Sequence, residues 1–410
     1  MTVLERFLKY ISIPSPSNNG ENYNTQRKIS EVLREELIAL GVQAYYDEEY
    51  CYVYGFLKGN IEAPSLGFIS HMDTSLDADW NVKYNILENY DGQDIYLENG
   101  LLLSNKQNPD LKNHVGKTLI TSKGDSLLGA DDKAGIAEIM TMLENLINSD
   151  TAHGNIYVAF TPDEEIGKSM THFDMTKFNA DYAYTIDGSS LGEISYENFY
   201  ASDVFVTFTG INAHPGYAKN KMVNPIILLN EFISMMPNEF PENSDGYEGF
   251  YYLYNLSGDV SELKLKILVR DFDKEKLARR INVLKNIEFN LNKKYGNFVN
   301  IDVKERYKNM YEVIKDNMHL VEYACSAMEE LDVVPLINPA RGGTDGARLS
   351  FMGIPCPNLG TGGHNFHSVQ EYIALEDMEK VCDILLGIVK KYSLALENVQ
   401  VKRRRKNIDC

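Results

Sequence analysis

The sequence predicts an α/β fold: a mostly parallel sheet with helices on both faces, and a smaller α+β domain inserted into it. Three observations predict this. Short, buried, strand-like runs at 65–70, 154–161 and 180–186 alternate with amphipathic helical runs. Between about 199 and 312 the pattern changes to half-exposed strands and longer helices. Segments of the first type then resume and continue to a final helix. At 410 residues the chain is too long for one simple core. The expected division is 1–200 with 313–410 as one discontinuous domain, and 201–312 as the insertion.

The elements follow in order. Leu4, Phe7, Leu8 and Ile11 recur at helical spacing. A second amphipathic helix spans 25–40, with Ile29, Val32, Leu33, Leu37 and Leu40 on one face and Gly41 as its stop. Residues 42–54 read as strands, and 65–70 as a short buried strand ending at His71. Residues 76–125 are rich in Asn, Asp, Gly and Tyr and predict an irregular or hairpin excursion. The stretch from Gly129 to Gly135 then opens a helix over 134–148. Two more buried strands end at Glu164-Glu165 and at Asp187. In the insertion, 204–208 alternates like a half-exposed strand, followed by a helix at 224–236, a strand at 263–270, a helix at 273–292 and a strand at 298–307. This resembles a β-α-β-β-α-β, ferredoxin-like pattern with enough chain for its own core. A helix at 316–331, the segment 349–356 and a helix at 376–396 complete the chain, before a basic run at 402–406 expected to be a solvated end.

Composition removes several function classes. The net charge of -19 argues against nucleic acid and anionic membrane surfaces, which need positive fields. No apolar run approaches the roughly 20 residues of a membrane span. The N-terminus reads as a charged amphipathic helix and not as a signal peptide. The 5 cysteines lack CxxC spacing and read as free thiols of a reducing, cytoplasmic environment.

The chemistry gathers at strand ends. Asp131 and Asp132 are adjacent carboxylates that repel one another, which a cation would relieve. His71 and Asp73 are two apart at a strand end and project to one side, so Asp73 can hold the His71 ring as a carboxylate behind a metal-bound imidazole. Glu164 and Glu165 can divide metal binding and proton transfer between them. Asp187 ends its strand before a glycine. A Gly-rich loop at 360–368 carries His364 and His367. In α/β sheets ligands collect beyond the carboxyl ends of the strands. Carboxylate and imidazole donors without thiolate suit Zn, Mn or Co.

These residues lie in a longer match. The blocks Ser70-His71-Met72-Asp73-Thr74, Leu127-Leu128-Gly129-Ala130-Asp131-Asp132-Lys133-Ala134-Gly135 and Phe160-Thr161-Pro162-Asp163-Glu164-Glu165-Ile166-Gly167 stand in order, with Asn212-Ala213-His214-Pro215-Gly216 and Arg341-Gly342-Gly343-Thr344-Asp345-Gly346 behind them. The chain resembles the peptidase T family, the tripeptide aminopeptidase branch of the aminoacylase/carboxypeptidase superfamily of two-zinc hydrolases. The resemblance implies Asp131 as a bridging ligand, His71 and Asp187 on one metal, and Glu165 and His367 on the other. It implies Glu164 as general base, Asp73 as the residue orienting His71, and a cis bond between Asp131 and Asp132. It makes the insertion a lid domain in which His214 stabilises the oxyanion, Arg270 holds a substrate carboxylate, and Asn220 and Lys221 share a loop. Two Zn ions per subunit are implied, with Co or Mn as substitutes. Small peptides are the implied partners, and a homodimer through the lid domain is compatible. The same metal site would equally serve a dipeptidase, a carboxypeptidase or an amide deacylase.

Overall fold

The computed structural model describes residues 1–18 and 24–406, with side chains of the last helix described to Leu394. The chain divides into two units, one of Met1–Tyr196, Glu312–Asn338 and Thr344–Cys410, the other of Glu197–Tyr311 with Pro339–Gly343.

In the first unit, Leu66–His71 lies between Ile156–Thr161 and Tyr182–Gly188, parallel to both. Asn358–Gly360 extends the parallel block beside Tyr182–Gly188. Gln43–Tyr46 and Val53–Leu57 add antiparallel strands at one edge. Glu193–Ser195 and Leu336–Ile337 close the other edge of the 8-stranded sheet. Every residue of Leu66–His71 is buried. Covered on both faces, such a strand reads as a continuous apolar run and not as an alternation.

The helix Ala130–Ile147 packs against this strand and its neighbour. It is buried almost all round, through Ala134, Ile136, Ala137, Ile139, Met140 and Leu143. Gly135 permits the approach: a Cβ there would run into the Ile186 carbonyl oxygen and the Ser70 hydroxyl.

In the 76–125 region, expected as an irregular or hairpin excursion, Ile95–Tyr96 and Leu102–Leu103 form a short antiparallel hairpin. Tyr84–Leu87 and Leu119–Ser122 pair antiparallel and join Tyr372–Ala374 and Gly363–His364 in a 4-stranded sheet. Tyr90, Leu97, Leu103, Leu111, Leu119 and Tyr372 form a small apolar core beneath it. The strands are short and half their partners come from the far end of the chain, so no local pattern announces them.

The second unit is an antiparallel sheet in the order Phe250–Gly258, Glu262–Asp271, Tyr200–Thr209, Val299–Tyr307. Leu228 and Phe232 of the helix Pro225–Ser234, and Leu284 and Ile287 of Lys274–Tyr295, bury against Val204, Val206 and Ile267 of the sheet. The connectivity is β-α-β-β-α-β. Phe250–Gly258 is the strand absent from the expected set; its second half is exposed and lacks alternation.

The last helix, Leu375–Lys406, continues through the basic run rather than ending before it. Lys and Arg are good helix formers, which suits that continuation. Among the described residues no helix is long and apolar enough to cross a membrane. Among the described residues Cys51, Cys325, Cys356 and Cys382 form no disulfide, and Cys410 lies outside them.

Candidate metal centre

Neighbouring strands deliver the site. His71 is the last residue of Leu66–His71, Asp187 the next to last of Tyr182–Gly188, and Glu164-Glu165 follow Ile156–Thr161 by a short turn. Because these strands are parallel and adjacent, their carboxyl ends meet at one edge. Asp131 enters from the start of the buried helix, after Gly129 at φ 80°, and its bond to Asp132 is cis. His367 arrives on the loop between Gly363–His364 and Tyr372–Ala374, itself at φ 60°.

The geometry centres on Asp131. Its Oδ1 lies 2.9 Å from His71 Nε2, and its Oδ2 lies 3.3 Å from His367 Nε2. His71 Nε2 also stands 3.4 Å from Asp187 Oδ1, and His367 Nε2 stands 2.9 Å from Glu165 Oε2. Glu164 joins the first group: His71, Glu164 and Asp187 each present an atom within 4.8 Å of the others, as do His71, Asp131 and Glu165. All of the expected ligand residues therefore lie together.

The imidazoles are aimed from behind. His71 Nδ1 lies 3.0 Å from the Asp73 carbonyl oxygen and 3.4 Å from Asp73 Oδ1. A carbonyl can only accept, so Nδ1 carries the proton and Nε2 faces the carboxylates. His367 has a matching arrangement, with Nδ1 2.9 Å from Asp77 Oδ2. Asp132 Oδ2 accepts from the His71 backbone N–H at 3.0 Å.

The protons in this cluster are contested. Burial, followed by the charges of Asp345 and Asp187, pushes the Glu164 carboxyl well up. Burial, aided by Asp131 and Asp345, pushes Asp187 up to about 7 against the pull of His71. Asp131 moves the other way: despite burial, the imidazoles of His367 and His71 hold it below the usual carboxylate range. Hydrogen bonds to Asp131 and Glu165 push His367 up to about 11. Crowded carboxylates and imidazoles of this kind are relieved when divalent cations replace the shared protons. Glu165 Oε1 is buried and has no hydrogen-bond partner among the described residues, an acceptor such a cation would satisfy.

Several supporting residues were not assigned from the sequence. Asp345 is buried and accepts from the hydroxyls of Thr161 and Ser169. Ser17 donates to Asp73 Oδ2 at 2.7 Å. Glu371 accepts from the backbone N–H groups of Leu128, Gly129 and Asp131. The available signals are that Asp345 stands inside the matched block Arg341-Gly342-Gly343-Thr344-Asp345-Gly346 and that Glu371 follows His367 by four residues.

His214, Asn220, Lys221 and Arg270 belong to the second unit. His214 is exposed, and its Nδ1 accepts from Gly216 N–H at 3.2 Å. Asn220, at φ 60°, and Lys221 are exposed on the following loop. Arg270 Nη1 donates to the Arg341 carbonyl at 2.8 Å, and its guanidinium lies near the rings of Phe250 and Tyr307.

The model of peptidase family M20/M25/M40 matches residues 127–391. Peptidase T of Clostridium perfringens is 48% identical over 401 residues, covering 95% of this chain and 99% of its own. Among solved structures, aminopeptidase PepT from Bacillus cereus superposes with a TM-score of 0.77 at 22% identity, covering 95% of this chain and 98% of that one. A tripeptidase from Staphylococcus aureus does so with a TM-score of 0.77 at 24% identity and the same coverage, 95% and 98%. Likeness of this extent means that the chain belongs to peptidase family M20/M25/M40, among the peptidase T proteins.

Proposed function

We propose that the chain is a two-metal aminopeptidase that releases the N-terminal residue of tripeptides. One observation carries the reading: the two oxygens of Asp131 face different imidazole–carboxylate pairs, His71 with Asp187 and His367 with Glu165. Asp131 would bridge two divalent ions, with His71 and Asp187 on one and His367 and Glu165 on the other. Oxygen and imidazole donors suit Zn, with Co or Mn as substitutes. Bound there, the ions would polarise the peptide carbonyl and acidify the attacking water.

The chain's own residues do the remainder. Glu164 accepts a proton from the water and returns it to the leaving amine, a task suited to a carboxyl whose proton affinity burial has raised. Asp73 keeps the His71 ring in one tautomer and one orientation. The roles of His214 at the oxyanion and of Arg270 at the substrate carboxylate rest on the sequence resemblance, as does the placing of Asn220 and Lys221 in the substrate loop. The preference for tripeptides rests on the near full-length similarity to peptidase T. A cytoplasmic setting belongs to the same reading, supported by Cys325, Cys356 and Cys382, which form no disulfide among the described residues.

The test is a panel of di-, tri- and tetrapeptides with free and blocked N-termini, assayed before and after chelation. Tripeptides with a free N-terminus should lose that residue fastest, and chelation should stop the reaction. Release of C-terminal residues would overturn the aminopeptidase reading.

A further inference from the structure

Glu371 stands four positions beyond His367 and is buried, 1% exposed. Its Oε2 accepts from Leu128 N–H at 2.7 Å and Gly129 N–H at 2.9 Å, and its Oε1 accepts from Asp131 N–H at 3.1 Å. One carboxylate thus occupies three backbone donors of the turn that presents Asp131. It is attached at the same time to the end of the loop that presents His367. The strand that follows it, Tyr372–Ala374, is pinned antiparallel to Leu119–Ser122, so Glu371 enters from a fixed base. Ser122 N–H donates back to the Glu371 carbonyl at 3.1 Å.

The two halves of the cluster differ in their support. His71 sits in a fully buried strand, is 2% exposed, and has both its backbone and its ring held by buried aspartates. His367 is 45% exposed, on a loop, and its ring is backed by Asp77, itself 59% exposed. The separation between His367 and Asp131 therefore depends on whatever joins their two loops. Among the described residues, Glu371 makes that join three times over.

We propose that Glu371 is a positioning residue that sets the His367 loop against the Asp131 turn and so governs metal retention on the His367–Glu165 side of the cluster. It touches no reacting atom. Its two oxygens suit the task, because a carboxyl group can accept several N–H bonds at once. A glutamine keeps the volume but turns an NH2 group toward N–H donors. The inference rests on the two-metal reading above.

The experiment is stepwise Zn titration of the metal-free full-length protein against a competing chelator. It compares the wild type with Glu371→Gln and Glu371→Asp, and circular dichroism checks folding. The wild type should take up two ions. In Glu371→Gln the weaker of the two should be held roughly 10- to 100-fold less tightly, the range typical for residues behind a metal ligand, while the tighter changes little. Glu371→Asp, which keeps both acceptor oxygens on a shorter stem, should fall between; it also serves as the test if the glutamine variant does not fold. A wild type binding fewer than two ions would sink the two-metal reading itself. Two ions in the wild type with unchanged constants in both variants, or equal loss of both ions, would overturn the role of Glu371 alone.

Discussion

Asp73 and Glu164 are joined through the backbone: Glu164 N–H donates to Asp73 Oδ1 at 3.0 Å. The neighbouring Glu165 N–H donates to Asp73 Oδ2 at 3.2 Å, and Asp73 Oδ1 also lies 3.4 Å from His71 Nδ1. One fully buried carboxylate thus holds the His71 ring and the backbone of both Glu164 and Glu165. Asp73→Ala should cost far more than the loss of one ring contact. We expect metal affinity to fall about 10- to 100-fold, with a drop in kcat even at saturating metal. Metal titration and steady-state kinetics on the same preparations check this.

Glu164→Gln should separate chemistry from binding. The amide cannot take the proton, so kcat should fall about 100- to 10,000-fold. Bound metal should stay at the wild-type level, because the proposed ligands are untouched. Near-normal turnover with metal bound would show that another group carries the proton.

Removing metal should weaken the fold as well as stop catalysis. Asp131, Glu164, Glu165 and Asp187 are then left crowded around His71 and His367. Restored ions bind the folded chain and stabilise it by about 2.7 kcal/mol when free metal is about 100 times its Kd. Thermal unfolding of metal-free and refilled protein should show the difference, and it should shrink in Asp131→Ala.

Gly135→Ala tests the packing that presents the site. The added methyl meets the Ile186 carbonyl and the Ser70 hydroxyl, neither of which can swing aside freely. Helix and strand must separate, at a cost of about 1–3 kcal/mol. Asp131 and Asp187 lie on the elements forced apart, so metal affinity should fall with stability. Urea midpoints and metal titration measure the two effects.

Acid sensitivity should trace in part to His364. Its Nε2 faces His114 Nε2 at 3.2 Å, and its ring stacks on Tyr372. Asp377 and Lys117 lie behind His114. Burial first, and then the His114 ring, hold His364 down at about 4, below the ordinary 6.5. Between those values the unfolded chain binds the proton that the folded chain refuses, so stability rises with pH across the window. It is fully present above pH 6.5 and is lost as pH falls toward 4. His364→Gln should narrow the gap between denaturant midpoints measured at pH 7 and pH 5.

The sequence by itself determined the ends of the buried strands. His71, Glu164, Glu165 and Asp187 were legible because each follows an apolar run, and a parallel sheet gathers such ends at one edge. Asp131 was legible as a carboxylate pair opening a helix. The ferredoxin-like order of the insertion was likewise readable from its periodicities, apart from the strand Phe250–Gly258.

Only the tertiary structure decided which side chains stand behind these. Asp77 on His367, Glu371 on the Asp131 turn and Asp345 between Thr161 and Ser169 join segments far apart in the chain. The small sheet that joins 84–87 and 119–122 to the His367 loop is of the same kind. Strand and helix periodicity is a local property, set by which faces of a few successive residues must leave water. A buried carboxylate's partner depends instead on which distant backbone groups folding strips of water beside it, and one chain's local pattern carries no record of that.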